Sequence, residues 1–358
     1  MDTRLGSAVS IKSLQFTGKA GEYFKIWIVN ILLTIVTLGI YSAWAKVRTN
    51  RYFYGNTILD NAGFEYLANP VSILKGRLIA TAFFIIYAVV GQFMPLAQIG
   101  FSLVLLLLLP WLVVQAMVFR TRNTSYRNIR FGFQRRFGQA AMVFIVLPIL
   151  AGITLGLAYP YFQRRRHQFM MESASYGNTR FEFAASTGSF YTIYLAAVGV
   201  TLVSLVVVAL VAAIAAGIAV ALLGGEAALQ QGANEQFGAI GAVMPMIFMP
   251  LIYLALFAFV KAKTTNLVWN ELTLGPHGFT SELKFMKLFW LYISNTFAII
   301  LSLGLLVPWA KVRMARYRVE HIRVCVAGDL DGFIAAEQAN VTSTAEGVSD
   351  VFDIDIGL

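Results

Sequence analysis

The chain has 358 residues, of which 58% are apolar and only 13% charged, and its formal net charge is +10. A soluble domain carries about 25% charged residues, so the composition excludes an ordinary soluble fold, and a mean hydropathy of +0.69 agrees. The one cysteine, Cys325, excludes an intrachain disulfide, and His167, His277 and His321 lie too far apart in sequence to suggest zinc, so no metal or other cofactor is expected.

The first twenty residues are mixed and polar, without the apolar stretch of a signal peptide, so the first membrane segment is expected to act as its own insertion signal. Residues 1–15 form an N-terminal segment, and Ser13–Thr17 alternates like a short strand. An apolar run over 24–43 breaks at Leu38-Gly39 and leads into Trp44-Ala-Lys-Val-Arg48. A polar linker follows, with Tyr54-Gly-Asn-Thr57 reading as a turn and Phe64-Glu-Tyr66 as a strand. Runs over 78–94 and 100–119 form a helical hairpin with an uncharged turn at Gly91–Gly100. After the alternating Ile129–Phe133, a run over 139–160 breaks at Leu155-Gly156 before Arg164, Arg165 and Arg166. Tyr176-Gly-Asn-Thr179 and Arg180–Phe183 repeat the turn and strand, and runs over 191–223 and 238–260 make a second hairpin. Leu272–Leu274 precedes a last run over 285–308, broken at Leu303-Gly304 and followed by a second Trp-Ala-Lys-Val-Arg at Trp309–Arg313. The tail from 323 to 358 is acidic; 335–348 is expected to be solvated chain and Val351–Ile356 an edge strand.

Charge placement gives a topology. Lys and Arg flank both two-helix hairpins at their ends and are missing from their turns, which puts the ends in the cytoplasm. The three broken segments carry cations on both sides, so both of their ends are also expected to be cytoplasmic. They are predicted to be re-entrant or sharply broken helices turning at Gly39, Gly156 and Gly304, the alternative being seven plain spans. The fold class is thus an α-helical polytopic membrane protein. It is a tandem repeat of broken helix plus helical hairpin, with module one at 16–122, module two at 131–263 and a third half-module at 279–322. The linkers contribute a small cytoplasmic β layer. Both termini are predicted to be cytoplasmic.

The segment Leu38-Gly-Ile-Tyr-Ser-Ala-Trp-Ala-Lys-Val-Arg48, the Tyr-Gly-Asn-Thr turns and the ending Phe352-Asp-Ile-Asp-Ile-Gly-Leu358 resemble the YjgN-like bacterial inner-membrane proteins, a family catalogued as a domain of unknown function. The resemblance implies a multi-pass protein of the bacterial inner membrane and supplies no substrate or catalytic residue.

No catalytic constellation is legible, and the spans hold almost no ionisable groups, which argues against a charged pathway through the membrane centre. The charge of +10 is explained by topology and anionic lipid more simply than by nucleic acid. Lys46, Arg48, Arg51, Arg164, Arg165, Lys311, Arg313 and Arg316 are candidates for binding lipid headgroups, in up to three copies around one centre. Trp44 and Trp309 are candidate interface anchors. Asn30 and Asn295, equivalent in the repeat, are either interhelical hydrogen-bond formers or polar groups facing one cavity. Two functions are expected to compete: a transporter, channel or lipid-translocating protein, and a non-transporting scaffold or lipid-binding assembly factor. Anionic membrane lipids are the expected partners, with a protein partner or second copy also compatible.

Overall fold

The computed structural model describes residues 9–222 and 233–351. Eleven short strands run through it: β1 Val9–Ser13, β2 Gln15–Phe16, β3 Thr57–Leu59, β4 Ala62–Tyr66, β5 Thr124–Tyr126, β6 Ile129–Phe133, β7 Ala174–Tyr176, β8 Thr179–Phe183, β9 Leu272–Leu274, β10 His277–Ser281 and β11 Ile322–Ala327. Most are paired by two-residue turns. Asp60-Asn61 and Arg127-Asn128 hold both turn residues at positive φ, the conformation whose twist matches a hairpin. Gly177 and Gly275 supply the positive φ in the other two turns.

All pairings are antiparallel, in the order β1-β11-β10-β9-β8-β7-β6-β5-β4-β3-β2. The two edge strands, β1 and β2, are consecutive in sequence, with Leu14 alone between them, and the Leu14 N–H donates to Ile322 O at 3.2 Å. The sheet therefore curls into a nearly closed barrel. This corrects the expected helical protein with a small β layer: the barrel is the organising element to which every helix attaches. Isolated hairpins of three and five residues are marginal in water. Joining β4 to β5, β6 to β7 and β8 to β9 pairs each exposed edge with the next hairpin.

From the barrel rise five helical hairpins: α1 Ala20–Val36 with α2 Ser42–Gly55, α3 Pro70–Phe93 with α4 Pro95–Arg122, α5 Phe137–Ile153 with α6 Tyr159–Glu172, α7 Thr187–Leu222 with α8 Ala233–Asn270, and α9 Phe285–Leu301 with α10 Val307–Glu320. A π-helical turn at Met142–Val146 interrupts α5 just before Pro148, whose missing N–H cannot continue the regular ladder. Short and long hairpins alternate. Each packs on the next, and α10 packs back on α1, so the hairpins also form a ring. Tyr23, Phe16 and Val312 seal that closure, with the Tyr23 ring 5.4 Å from Tyr52 and 4.8 Å from Phe53.

Among the described residues, four helices are long and apolar enough to cross a membrane: Pro70–Phe93, Leu96–Arg122, Thr187–Ala215 and Phe248–Asn270. Their apolar stretches are hardly buried within the protein, so lipid must cover them. Both ends of every hairpin connect to barrel strands, so the cations that flank them all lie at the barrel end.

The two Tyr-Gly-Asn-Thr segments differ in structure. Gly177-Asn178 turns between β7 and β8, whereas Tyr54-Gly55 ends α2 and Asn56 caps it, its Nδ2 donating to Tyr52 O at 2.8 Å. The acidic tail also differs from the solvated chain expected over 335–348. After β11, Asp329 accepts from the N–H groups of Asp331 and Gly332, both at 3.0 Å, and starts α11 (Leu330–Val351). Leu330, Phe333 and Ile334 enter the barrel core with Leu59, Tyr126 and Val326. The predicted edge strand from 352 onward lies outside the described residues.

Helix α11 is tied across the barrel's turns. Buried Glu337 accepts from Asn178 N at 2.7 Å and Thr179 Oγ1 at 2.6 Å. Arg127 pairs with Asp331 and, at 3.1 Å, with Asp60, which also receives Lys12 Nζ at 2.8 Å. The hydrogen bond from Lys12 holds the Asp60 carboxyl below its usual range, with Arg127 adding to the effect. Helix α11 thus lies over the barrel end remote from the hairpins.

Candidate functional site

The three short hairpins turn in the same way. Thr37, Thr154 and Ser302 cap their first helices; Leu38, Leu155 and Leu303 follow at φ 49°, 51° and 49°, then Gly39, Gly156 and Gly304 at φ 93°, 89° and 90°. Each glycine N–H bonds five residues back, to Thr34, Ala151 and Ile299, and each leucine N–H bonds three back, the pattern of a Schellman cap. The capping hydroxyl then accepts the N–H of Tyr41, Ala158 or Leu306 and starts the second helix. A left-handed leucine costs about 1–2 kcal/mol. These three are 94–95% exposed, so no packing within the protein offsets that strain. They form the tips of the short hairpins.

Asn30 and Asn295 occupy equivalent places. Asn30 Nδ2 donates to Ala45 O at 3.4 Å and Asn295 Nδ2 to Ala310 O at 3.5 Å, tying each first helix to its partner. Their oxygens differ. Asn295 Oδ1 accepts from Arg313 Nη1 at 3.0 Å, and that guanidinium also lies 5.0 Å from the Trp309 ring centre. Asn30 Oδ1 is buried with no protein partner.

The candidate cations divide by environment. Arg51 donates to Tyr66 O at 3.3 Å, Arg164 to Ala185 O at 3.0 Å and Arg316 to Gly18 O at 2.9 Å. Each latches a short hairpin to the segment entering a neighbouring hairpin. Arg165 donates to Gln168 Oε1 at 2.9 Å on its own helix. Arg48 is exposed, and Trp44 lies stacked on Tyr41 at 6.2 Å.

Lys46 and Lys311, both exposed, come together across the ring closure. With Asn30, Tyr23, Thr34 and Ser42 they line a pocket of about 350 Å³. Lys46 and Asn50 continue into a second pocket of about 950 Å³, with Arg120, Arg122, Arg135, Trp111 and Gln115. Among the described residues, neither pocket is lined by a carboxylate. The result is a basic shelf at the barrel end of the hairpins. Arg164 and Arg165, on the middle short hairpin, line neither pocket. Arg135, before α5, was not singled out as a candidate, because only the ring brings it beside α2 and α4.

A barrel bearing apolar helical hairpins with a basic shelf at their base defines an integral membrane protein of mixed α and β architecture. Residues 12–351 match the family described as "Bacterial protein of unknown function (DUF898)", and the chain belongs to that family. It is similar to the inner membrane protein YjgN of Salmonella typhimurium (37% identity over 147 residues, 40% of this chain and 36% of the relative). It is also similar to the inner membrane protein YjgN of Escherichia coli strain K12 (34% over 148 residues, 41% and 37%). Each match spans little more than a third of the relative's length. No solved structure matches.

Proposed function

We propose that the chain is an inner-membrane lipid-handling protein that takes an anionic phospholipid headgroup at the Asn30–Lys46–Lys311 pocket. The inner-membrane placement is that of the relatives named as inner membrane proteins, and the barrel lies in the cytoplasm because the flanking cations gather at its end. The observation that carries the reading is the buried, unpartnered Asn30 Oδ1 beside two exposed lysines. The lysines suit a phosphate, and the amide oxygen suits a hydroxyl donor on the same headgroup. The Lys46 and Asn50 connection extends the shelf to the arginines of the larger pocket.

A second reading adds lipid translocation, and the short hairpins favour it. As re-entrant elements, their first helices of 17 residues reach about 26 Å, short of a hydrocarbon core about 30 Å thick. Such mismatch thins the bilayer locally and lowers the barrier for a headgroup beside the shelf.

Nanodiscs with increasing phosphatidylglycerol in phosphatidylcholine test the first reading by native mass spectrometry. Each lysine contributes about 1 kcal/mol, so Lys46→Ala with Lys311→Ala is expected to weaken retention about thirtyfold. Equal retention by the variant, or no preference for phosphatidylglycerol in the wild type, would contradict it. Proteoliposomes carrying fluorescent phosphatidylglycerol separate the two readings. Loss of lipid asymmetry beyond that of empty liposomes indicates translocation, and retention without it leaves a lipid-binding scaffold.

A further inference from the structure

The barrel interior holds a third cavity, apart from the two pockets of the basic shelf and opposite to them in chemistry. It measures about 220 Å³. Phe64, Phe131, Phe181, Leu274 and Val324 line its wall, and Phe333 of α11 its remote end. About eight strands already give a barrel interior that side chains fill or that holds one small ligand. Here eleven short strands leave space even after Leu330, Phe333 and Ile334 enter. Dry apolar cavities of this order bind apolar molecules.

The two tyrosine hydroxyls of this wall are hydrogen-bonded, and one histidine nitrogen is not. Tyr126 Oη donates to Leu59 O at 2.8 Å and Tyr176 Oη to Tyr126 O at 3.1 Å. His277, on β10, is 2% exposed. Its Nδ1 accepts the Ala327 N–H at 3.3 Å, which leaves the ring proton on Nε2. That Nε2 is buried without a hydrogen-bond partner, and the Phe333 ring packs on the imidazole, nearly perpendicular to it with the ring centres 4.7 Å apart. Burial holds the His277 pKa down, so the imidazole is neutral. A neutral donor in an apolar chamber suits a neutral acceptor, because a buried carboxylate would lack a countercharge.

We propose that the barrel interior binds a single medium-length hydrocarbon chain ending in a neutral oxygen, which displaces the Phe333 ring to accept from His277 Nε2, with α11 closing the site behind it. The volume lies below the about 300–1,000 Å³ of pockets for larger ligands, which excludes a whole phospholipid. The chain is a free fatty alcohol or a small ester, since the ester oxygen of a membrane lipid's tail would carry its headgroup into the chamber with it.

Photo-crosslinking of the full-length protein in nanodiscs tests this with two probes: decanol carrying a diazirine, and phosphatidylglycerol carrying the same diazirine on one acyl chain. Label is expected on the peptides containing Leu272–Ser281 and Leu330–Ile334. It is expected to fall about tenfold in His277→Phe, the loss of one hydrogen bond, and to vanish in Leu274→Trp, which fills the cavity. Label is expected from decanol and not from the lipid; lipid label at these peptides that His277→Phe leaves unchanged would show a tail entering without the hydrogen bond and would overturn the proposal. If Leu274→Trp fails to fold, His277→Phe still decides. Absence of decanol label at these peptides, or decanol label unchanged by His277→Phe, would overturn the proposal.

Discussion

Ile334→Asp is expected to release α11 from the barrel while leaving the helical hairpins in place. Ile334 is 5% exposed and packs in the barrel core with Leu59, Tyr126, Tyr176 and Val326. Truncating a buried isoleucine costs about 2–5 kcal/mol, and a carboxyl in an apolar site adds its desolvation. The surviving anchors, Glu337 on Asn178 and Thr179 and Asp331 on Arg127, sit at the rim. Charge-assisted hydrogen bonds contribute about 1.5–3 kcal/mol each, and the exposed Asp331 end contributes at the low end of that range. Hydrogen exchange is the readout: amides over 333–341 are expected to lose protection, while those of α3 and α4 keep theirs. Unchanged protection over 333–341 would show that α11 is not held by its apolar face.

Tyr23→Ala is expected to loosen the closure between the first and last hairpins at a cost of about 3–5 kcal/mol, the range for emptying a buried aromatic site. The Tyr23 ring is 1% exposed, stacked on Tyr52 and edge-on to Phe53, and packed with Phe16 and Val312. The same ring lines the Asn30 pocket, so headgroup retention should fall together with thermal stability. Tyr23→Phe keeps the ring and is expected to stay near wild type in both. Equal stability of the alanine and phenylalanine variants would mean that the ring of hairpins is sealed elsewhere.

Several features of this fold were legible in the residues. Leu38-Gly39, Leu155-Gly156 and Leu303-Gly304 mark the three short turns, since the glycine holds a φ near 90° that other residues avoid. The hydroxyl residue just before each pair was also in plain view, but its meaning depends on the following helix N–H, which only the folded turn presents. Asn30 and Asn295 make the same kind of contact, to Ala45 O and Ala310 O, and differ in that Arg313 donates to Asn295 Oδ1 while Asn30 Oδ1 has no protein partner, a difference that depends on side-chain placement in the fold.

The barrel was the feature read wrongly. Each linker displayed its own strand, but strands of two to six residues carry too little periodicity to declare which partner they take. Pairing β11 with β1 joins residues over three hundred positions apart, and nothing local encodes that. The tail shows the opposite case. Leu330, Phe333, Ile334 and Glu337 recur at helical spacing, a signal the acidic composition obscured.

Closure of the barrel is the central claim, and the native Cys325 offers a direct test. In the β1–β11 register Ile11 lies opposite Cys325. Opposed residues of an antiparallel pair have Cα atoms about 4.5–5.5 Å apart, within the range a disulfide spans. Ile11→Cys in the full-length protein, oxidised in nanodiscs, is expected to form an intrachain disulfide that joins the first and last strands. A non-reducing gel should show a faster band that reverts on reduction. Lys12→Cys, one residue out of register and facing the other side, is expected to form none. A free thiol at Ile11→Cys after oxidation, or equal cross-linking at both positions, would contradict the closed barrel.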